Sequence, residues 1–579
     1  MMETVRRRAP VGVVQGEVHE GQRFRYLEEV LGHAGVFFDY VAADHLLPEA
    51  WEHQVLILPG AMPLSDSAQH ALTSFVRQGG GLLGLGGTSG LDAIFGVRGG
   101  DEFTEGYLLV REEEHPLTAD LRSSLHVFGG QVVHAAEGTT LAELDSGGVV
   151  GDAVVVNSYG AGTAVLLAPE VLGSIVHIQQ GIPVAADGSP APDGSAPLDD
   201  GILKCEDGLV LDWVRDRQPI DERHRVFLEP ISDELRELVL KGLFFLCQQQ
   251  RIPLPVLWYW PGDLTAVAHL SHDSDGNDPD LAWELLRVTK ELEVRSTWCI
   301  LYPGGYSPQF YRTLQEEGYE IALHFDGHTG GLHTHWREED FGLQYDWLRE
   351  MARLEHILTN KNHYTRWEGR LEFYRWCENL GVQCDQTKGP SKRGTIGYAL
   401  GGSHPWFPLD DEGETPRFLD VLEIAPLTQD LVVTCPPEFG PPLVDSAARH
   451  YGVAHFLFHP AHIRKPAVAD SLRMVVDYAR ERGLVWWTAE RLNRWERQRR
   501  NVQVEEWEST DTHLRCRFHA GQELTNAALL LLRPPGREVR VTVDGRPARE
   551  ETVERYGFRF AKVNLDLRAG TVVEAEVAF

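Results

Sequence analysis

Apolar positions along this chain follow three regimes. In residues 1–180 short apolar runs alternate with amphipathic stretches that end in glycine. VGVVQG, VFFDYV and HQVLILPGA read as strands. RFRYLEEVLGHAG reads as a helix closed by Gly35, and SAQHALTSFVRQGGG as a helix stopped by glycines before GLLGLGG. Strands and helices trading places at this spacing predict a doubly wound, flavodoxin-like sheet. Residues 253–497 repeat the alternation on a longer beat. Leu264–Leu270, RSTWCIL, YEIAL, VQCD, VAHFLF and LVWWT are strands, and Asp278-Pro279 and Ser307-Pro308 open helices as cap and first residue. MARLEHILTN, LEFYRWCENLG and VADSLRMVVDYARERG complete the helices, so an irregular (β/α) barrel is expected. In residues 498–579 apolar alternation between turn signals, with a hairpin turn at Asp544-Gly545, predicts a small β-sandwich. Residues 181–252 read as a linker, GIPVAADGSPAPDGSAPLDDG, followed by a helix carrying Leu235, Leu238, Leu240, Leu243 and Leu246. The fold class is thus α/β multidomain.

Composition narrows the function. The 579 residues carry a net charge of −32, which argues against nucleic acid or an anionic membrane surface as the main partner. No apolar run approaches the ~20 residues of a membrane span, and MMETVRRRAPVGVVQG lacks the apolar core of an export signal, so a cytoplasmic protein is expected. The seven cysteines are odd in number and form no C-x-x-C pair, which fits a reducing compartment and buried small side chains.

Candidate chemistry sits where strands end. Leu264–Leu270 runs into His272-Asp273-Ser274-Asp275-Gly276, YEIAL into His324-Phe325-Asp326-Gly327-His328, and VAHFLF into His459-Pro460-Ala461-His462. In a β/α barrel all these ends share one face. One aspartate and two histidines make a three-ligand set for a catalytic divalent metal. With 25 histidines about one H-x-x-x-H pair arises by chance, and His455/His459 is a second one. The joint pattern after successive strands therefore carries the weight. His272 and His462 read as supporting groups.

The middle domain resembles the polysaccharide deacetylase family, metal-dependent carbohydrate esterases. SHDSDG stands where that family has T-F-D-D-G, EGYEIALHFDGH where it has H-[ST]-x-x-H, Arg366-Trp367-Glu368-Gly369 near its arginine motif without the proline, and FLFHP at its last motif. The resemblance implies that Asp275, His324 and His328 bind a divalent metal, with zinc the expected ion. It implies that Asp273 is the general base, His459 the general acid, and Arg366 the residue that orients Asp273. The extra residue between the two aspartates leaves their roles interchangeable. His333 or His335 stand as substitute ligands, and Arg370 as a rival to Arg366. The implied function is removal of acetyl groups from a carbohydrate. The alternatives are a silent glycan-binding or scaffold protein and a hydrolase of another non-peptide C–N bond.

Residues 1–180 resemble the class I glutamine amidotransferase-like domain through VLILPGA, GGGLLGLGG and SYGAGTAVLLAPE. Thr88-Ser89 stands where catalytic members have a cysteine. A non-catalytic binding or assembly domain is expected, one through which the chain would form homo-oligomers. Ser89 is the remaining candidate nucleophile.

Overall fold

The computed structural model describes residues 6–15, 24–43, 46, 52–328, 336–510 and 512–578. His333 and His335 lie outside the described residues. The chain is a mixed α/β protein that divides into two compact units, each assembled from separate stretches: residues 1–175, 234–263 and 496–579, and residues 176–233 with 264–495. No helix among the described residues is long and apolar enough to cross a membrane.

The second unit is built on a parallel sheet of β1 (Val267–Asp273), β2 (Thr297–Leu301), β3 (Glu320–Phe325), β4 (Thr359–Asn362), β5 (Cys384–Asp385), β6 (Leu422–Glu423), β7 (Val453–Leu457) and β8 (Val485–Trp487). Their order is β6-β5-β4-β3-β2-β1-β7, with β8 beside the first half of β1. The edge strands β6 and β7 share no ladder; the isolated parallel bridge Thr428–Phe456 links their ends. The sheet is therefore an incomplete barrel rather than the closed ladder of a regular one.

Period-two alternation divides the labour on β1. Ala266, Ala268 and Leu270 join Leu285 and Leu286 of the following helix, α1 (Pro279–Glu291), in one apolar core. His269, Ser271 and Asp273 form a polar row: His269 Nε2 meets Gln386 Oε1 at 3.1 Å, and Ser271 Oγ meets His455 Nε2 at 2.8 Å. Asp278 caps α1, its carboxylate accepting from the Asp280 and Leu281 amides, and Ser307 caps α2 (Pro308–Glu316) by accepting from Phe310 N. Both caps stand where the sequence places them.

Two sequence expectations change here. MARLEHILTN is not a helix. The helix α3 spans Glu338–Ala352 and stops at Arg353 in the left-handed region (φ 55°), and Thr359–Asn362 is β4. The expected linker is also tied down: Val184 bridges Gly369, Lys204 bridges Arg366, and Phe227 bridges Gly397.

In the first unit, strands 39–42, 11–15, 55–58, 81–85 and 162–167 are parallel neighbours, as the alternation predicts. Beyond 162–167 the sheet turns antiparallel through 149–159, 139–146, 106–110 and 125–127. The links between 139–146, 149–159 and 162–167 are two-residue hairpins, far too short for a parallel crossover. The expected parallel pairing therefore covers only part of this sheet. The tail forms two antiparallel sheets. One takes in strand 255–257 from the connector, paired through Pro255 and Leu531. Asp544 (φ 49°) and Gly545 (φ 72°) make the expected tight turn.

Candidate metal centre

Asp273 is the last residue of β1. The chain then turns sharply, with Gly276 at φ 75°, a conformation glycine adopts without strain. Ser274 Oγ anchors the turn by accepting from Leu301 N (2.9 Å) and donating to Asn277 Oδ1 (2.8 Å). Asp275 is thereby set beside the end of β3. His324 on β3 is fully buried and donates from Nδ1 to the carbonyl of Lys361, its register partner on β4, at 2.9 Å. Its Nε2 lies 3.2 Å from Asp275 Oδ1 and 3.8 Å from Asp273 Oδ2.

The residue that completes the cluster is His363, just after β4. Its Nε2 lies 3.6 Å from Asp275 Oδ2 and its Nδ1 3.3 Å from Asp326 Oδ1. One donor atom from each of Asp275, His324 and His363 lies within 4.8 Å of the others. Tyr364 and Thr365 follow with φ of 59° and 53°, two non-glycine residues in the left-handed region. The Tyr364 ring stacks on His363 at 4.0 Å. Such backbone is uncommon and persists where the surroundings impose it.

His328, the expected third ligand, faces elsewhere. Its Nε2 accepts from Arg366 Nη1 at 2.9 Å and its backbone N–H donates to Asp326 Oδ1 at 2.8 Å. H-x-x-x-H brings both rings to one point on a helix; here the first histidine ends a strand and the chain turns away before the second. Arg366 pairs with Glu368 as well as His328. The Asp273 carboxylate is instead met by Lys361 Nζ at 3.1 Å. Arg370 pairs with Asp411 and Glu412.

His459 lies where the sequence places it. Its Nε2 is 3.9 Å from Asp273 and 3.7 Å from Asp275, while its Nδ1 meets Asp430 Oδ2 at 2.5 Å and its backbone N–H donates to Asp430 Oδ1 at 2.8 Å. His462 Nδ1 sits 3.0 Å from the same carboxylate. His272 is structural: it meets the carbonyl of Phe458 and Ser296 Oγ, and burial pushes its imidazole down to about 4. His455 is likewise buried between Ser271 and the Ile424 carbonyl.

The electrostatics describe a site short of positive charge. Burial alone would raise the carboxyl of Asp275, but its histidine neighbours hold it well below the ordinary range. Asp273 is lowered too, burial being outweighed by Lys361, His324 and His459. Against burial, Asp275 and Asp326 lift His363 to about 9, and Asp430 lifts His459 to about 9. Asp273 Oδ1, Asp275 Oδ1 and His324 Nε2 are buried without a hydrogen bond. With Nδ1–H of His324 given to a carbonyl, its Nε2 turns a lone pair toward two carboxylates unless a second proton or a cation lies between. Two imidazoles and a carboxylate suit a divalent ion such as zinc. The donor set Asp275, His324 and His363 therefore fits the expected group, and His328 is not among these three.

Lys361, His363, Asp326 and Asp430 escaped the sequence reading. The only local signal for the first two is the polar run TNKNH between a helix stop and an arginine. In the first unit, Ser89 (φ 52°) lines a cavity of about 770 Å³ with Gln131 and Glu170. Its Oγ accepts from Met62 N at 3.0 Å and donates to the Gly60 carbonyl at 3.4 Å, which leaves it bonded to backbone rather than to a base.

No protein-family model and no curated protein matches this chain. Among solved structures it is similar to a putative polysaccharide deacetylase from Mycobacterium smegmatis, at 17% identity and TM-score 0.32 over 42% of this chain and 93% of that one. It is also similar to a β-galactosidase from Rahnella sp. R3, at 18% identity and TM-score 0.24 over 28% of this chain and 29% of that one. A cytoplasmic protein from Salmonella typhimurium matches at 15% identity and TM-score 0.23, over 28% of this chain and 88% of that one. The chain thus spans under a third of the β-galactosidase it matches.

Proposed function

We propose that the second unit is a metal-dependent hydrolase that removes N- or O-acetyl groups from a carbohydrate, with the ion, zinc by its donor set, held by Asp275, His324 and His363. What supports this reading is one convergence. A three-donor cluster, the buried carboxylate of Asp273 and the His459–Asp430 pair all lie within 4 Å steps of one another.

A divalent ion there would supply Lewis acidity toward the acyl carbonyl and toward water. Asp273, kept ionised by Lys361, takes the proton of the attacking water. His459, held by Asp430 through Nδ1, presents Nε2 and delivers a proton to the departing amine or alkoxide. His324 is fixed in its tautomer by the Lys361 carbonyl. Residues 1–180 serve in this reading as a binding or assembly domain without a nucleophile.

The test combines metal content by mass spectrometry with acetate release from chitooligosaccharides and acetylated xylooligosaccharides. About one equivalent of zinc is expected, lost in His324→Ala and Asp275→Ala, together with acetate release that disappears in Asp273→Asn. Metal without acetate release would leave hydrolysis of a different C–N bond as the reading. No metal after incubation with zinc or cobalt would overturn the mechanism and leave a glycan-binding role.

A further inference from the structure

Two carboxylates, Asp273 and Asp275, reach the same histidines. Asp273 lies 3.8 Å from His324 and 3.9 Å from His459; Asp275 lies 3.2 Å and 3.7 Å from the same rings. Spacing alone permits either to hold the ion. We propose that Lys361 decides between them: its side chain withholds Asp273 from the metal while its main chain aims His324 at it. This rests on the metal-centre reading above.

Lys361 lies in β4 directly opposite His324, and its side chain is 1% exposed. Its carbonyl takes the Nδ1–H of His324, which leaves Nε2 as the ligating atom. Its ammonium has Asp273 Oδ2 as ionic partner at 3.1 Å and makes no hydrogen bond to another described residue. A buried ammonium stripped of its carboxylate is strongly disfavoured. Asp273 cannot move onto the ion without stranding that charge. Asp275 has no such tie; its contacts are with His324, His363 and His459. One cation thus separates a base from a ligand two residues away. It also places a positive charge near the ion, which lowers affinity. An arginine partner for the base is what the sequence resemblance implied; a lysine from β4, the strand beside His324, takes that place, while Arg366 is turned to His328.

The experiment measures binding of zinc and cobalt(II) to the metal-stripped full chain, by competition with a chromogenic chelator and by cobalt(II) absorption. Lys361→Met frees Asp273 to ligate. With a positive charge removed from beside the ion and a carboxylate freed to reach it, it is expected to bind zinc about tenfold tighter and to change the cobalt spectrum as an oxygen donor is added. Lys361→Met combined with Asp273→Asn returns to the wild-type spectrum. Asp273→Asn alone leaves wild-type affinity within about threefold, whereas Asp275→Asn lowers it by about 100-fold or more. Should Lys361→Met fail to fold, the two aspartate variants still decide the assignment. Equal or weaker binding in Lys361→Met with an unchanged spectrum, or loss of binding in Asp273→Asn, overturns the proposal while the metal centre stands. A wild-type chain that binds neither ion overturns both.

Discussion

Glu423 offers a quantitative test of the second unit's interior. It stands on β6 opposite Asp385 of β5, and both side chains are fully buried. Glu423 Oε2 accepts from Tyr374 Oη at 2.8 Å and Oε1 from Lys388 N at 3.1 Å. Asp385 accepts from Asn360 Nδ2 at 2.9 Å and from Thr387. Burial, then the charge of Asp385, pushes the Glu423 carboxyl well above its ordinary value, and burial raises Asp385 as well. Lys388 is pushed down to about 8 by burial and donates to the Gln180 carbonyl. Glu423 therefore keeps its proton in the fold and releases it on unfolding once the pH exceeds ~4.3. A raised folded value contributes stability that is complete below the unfolded value and is lost as pH rises toward the folded one. For one retained proton the loss is about 1.4 kcal/mol per pH unit. Glu423→Gln mimics the neutral acid and removes this slope. Calorimetric melting of both proteins from pH 5 to 7, below the Lys388 transition, should show the variant gaining about 2 °C on the wild type per pH unit. Parallel melting curves would mean that Glu423 is ionised in the fold and that the reasoning is wrong.

Three further outcomes are expected. His363→Ala should lower zinc affinity by about 100-fold while His328→Ala changes it little, read by chelator competition; the reverse order would restore His328 as ligand. Asp430→Asn should cut kcat about 10²–10⁴-fold on an N-acetylated oligosaccharide, but far less on p-nitrophenyl acetate, whose leaving group needs no proton; equal losses would remove His459 from its acid role. In the first unit, buried Glu496 meets His33 Nδ1 at 2.6 Å and Arg499 Nη2 at 2.8 Å. Glu496→Ala should destabilise that unit by about 3–5 kcal/mol in denaturant unfolding at pH 7. Burial raises its carboxyl, but Arg499 and His33 hold it well below the ordinary range, so this contribution fades as the pH falls below ~4.3.

What the sequence revealed follows from how the site is made. β1, β3 and β7 are apolar on their helix-facing side, so their runs were visible, and Asp273, Asp275, His324 and His459 were found at their ends. β4 is Thr-Asn-Lys-Asn, with no apolar residue. Its side chains meet distant groups: Thr359 meets Glu320, Asn360 meets Asp385 and Lys361 pairs with Asp273. Nothing within ten residues signals such a strand, so the helical pattern of MARLEHILTN runs into its first two residues, and Lys361 and His363 carry no pattern of their own. Residues 181–230 looked like a linker for the same reason. Their partners, Gly369, Arg366 and Gly397, lie more than 160 residues away. Hairpin glycines in 147–162 foretold local turns but not that half the first sheet would run antiparallel.

The strand at 255–257 has a consequence for synthesis. Its partner, 524–532, leaves the ribosome roughly 270 residues later, about 15–55 s at ordinary elongation speed. Throughout that interval the chain makes residues 264–495, most of the second unit, while the first waits with an open edge. A nascent-chain pulse should find protease resistance arising first in the later-numbered unit, and truncation anywhere between 264 and 495 should yield an insoluble fragment rather than a folded amino-terminal half.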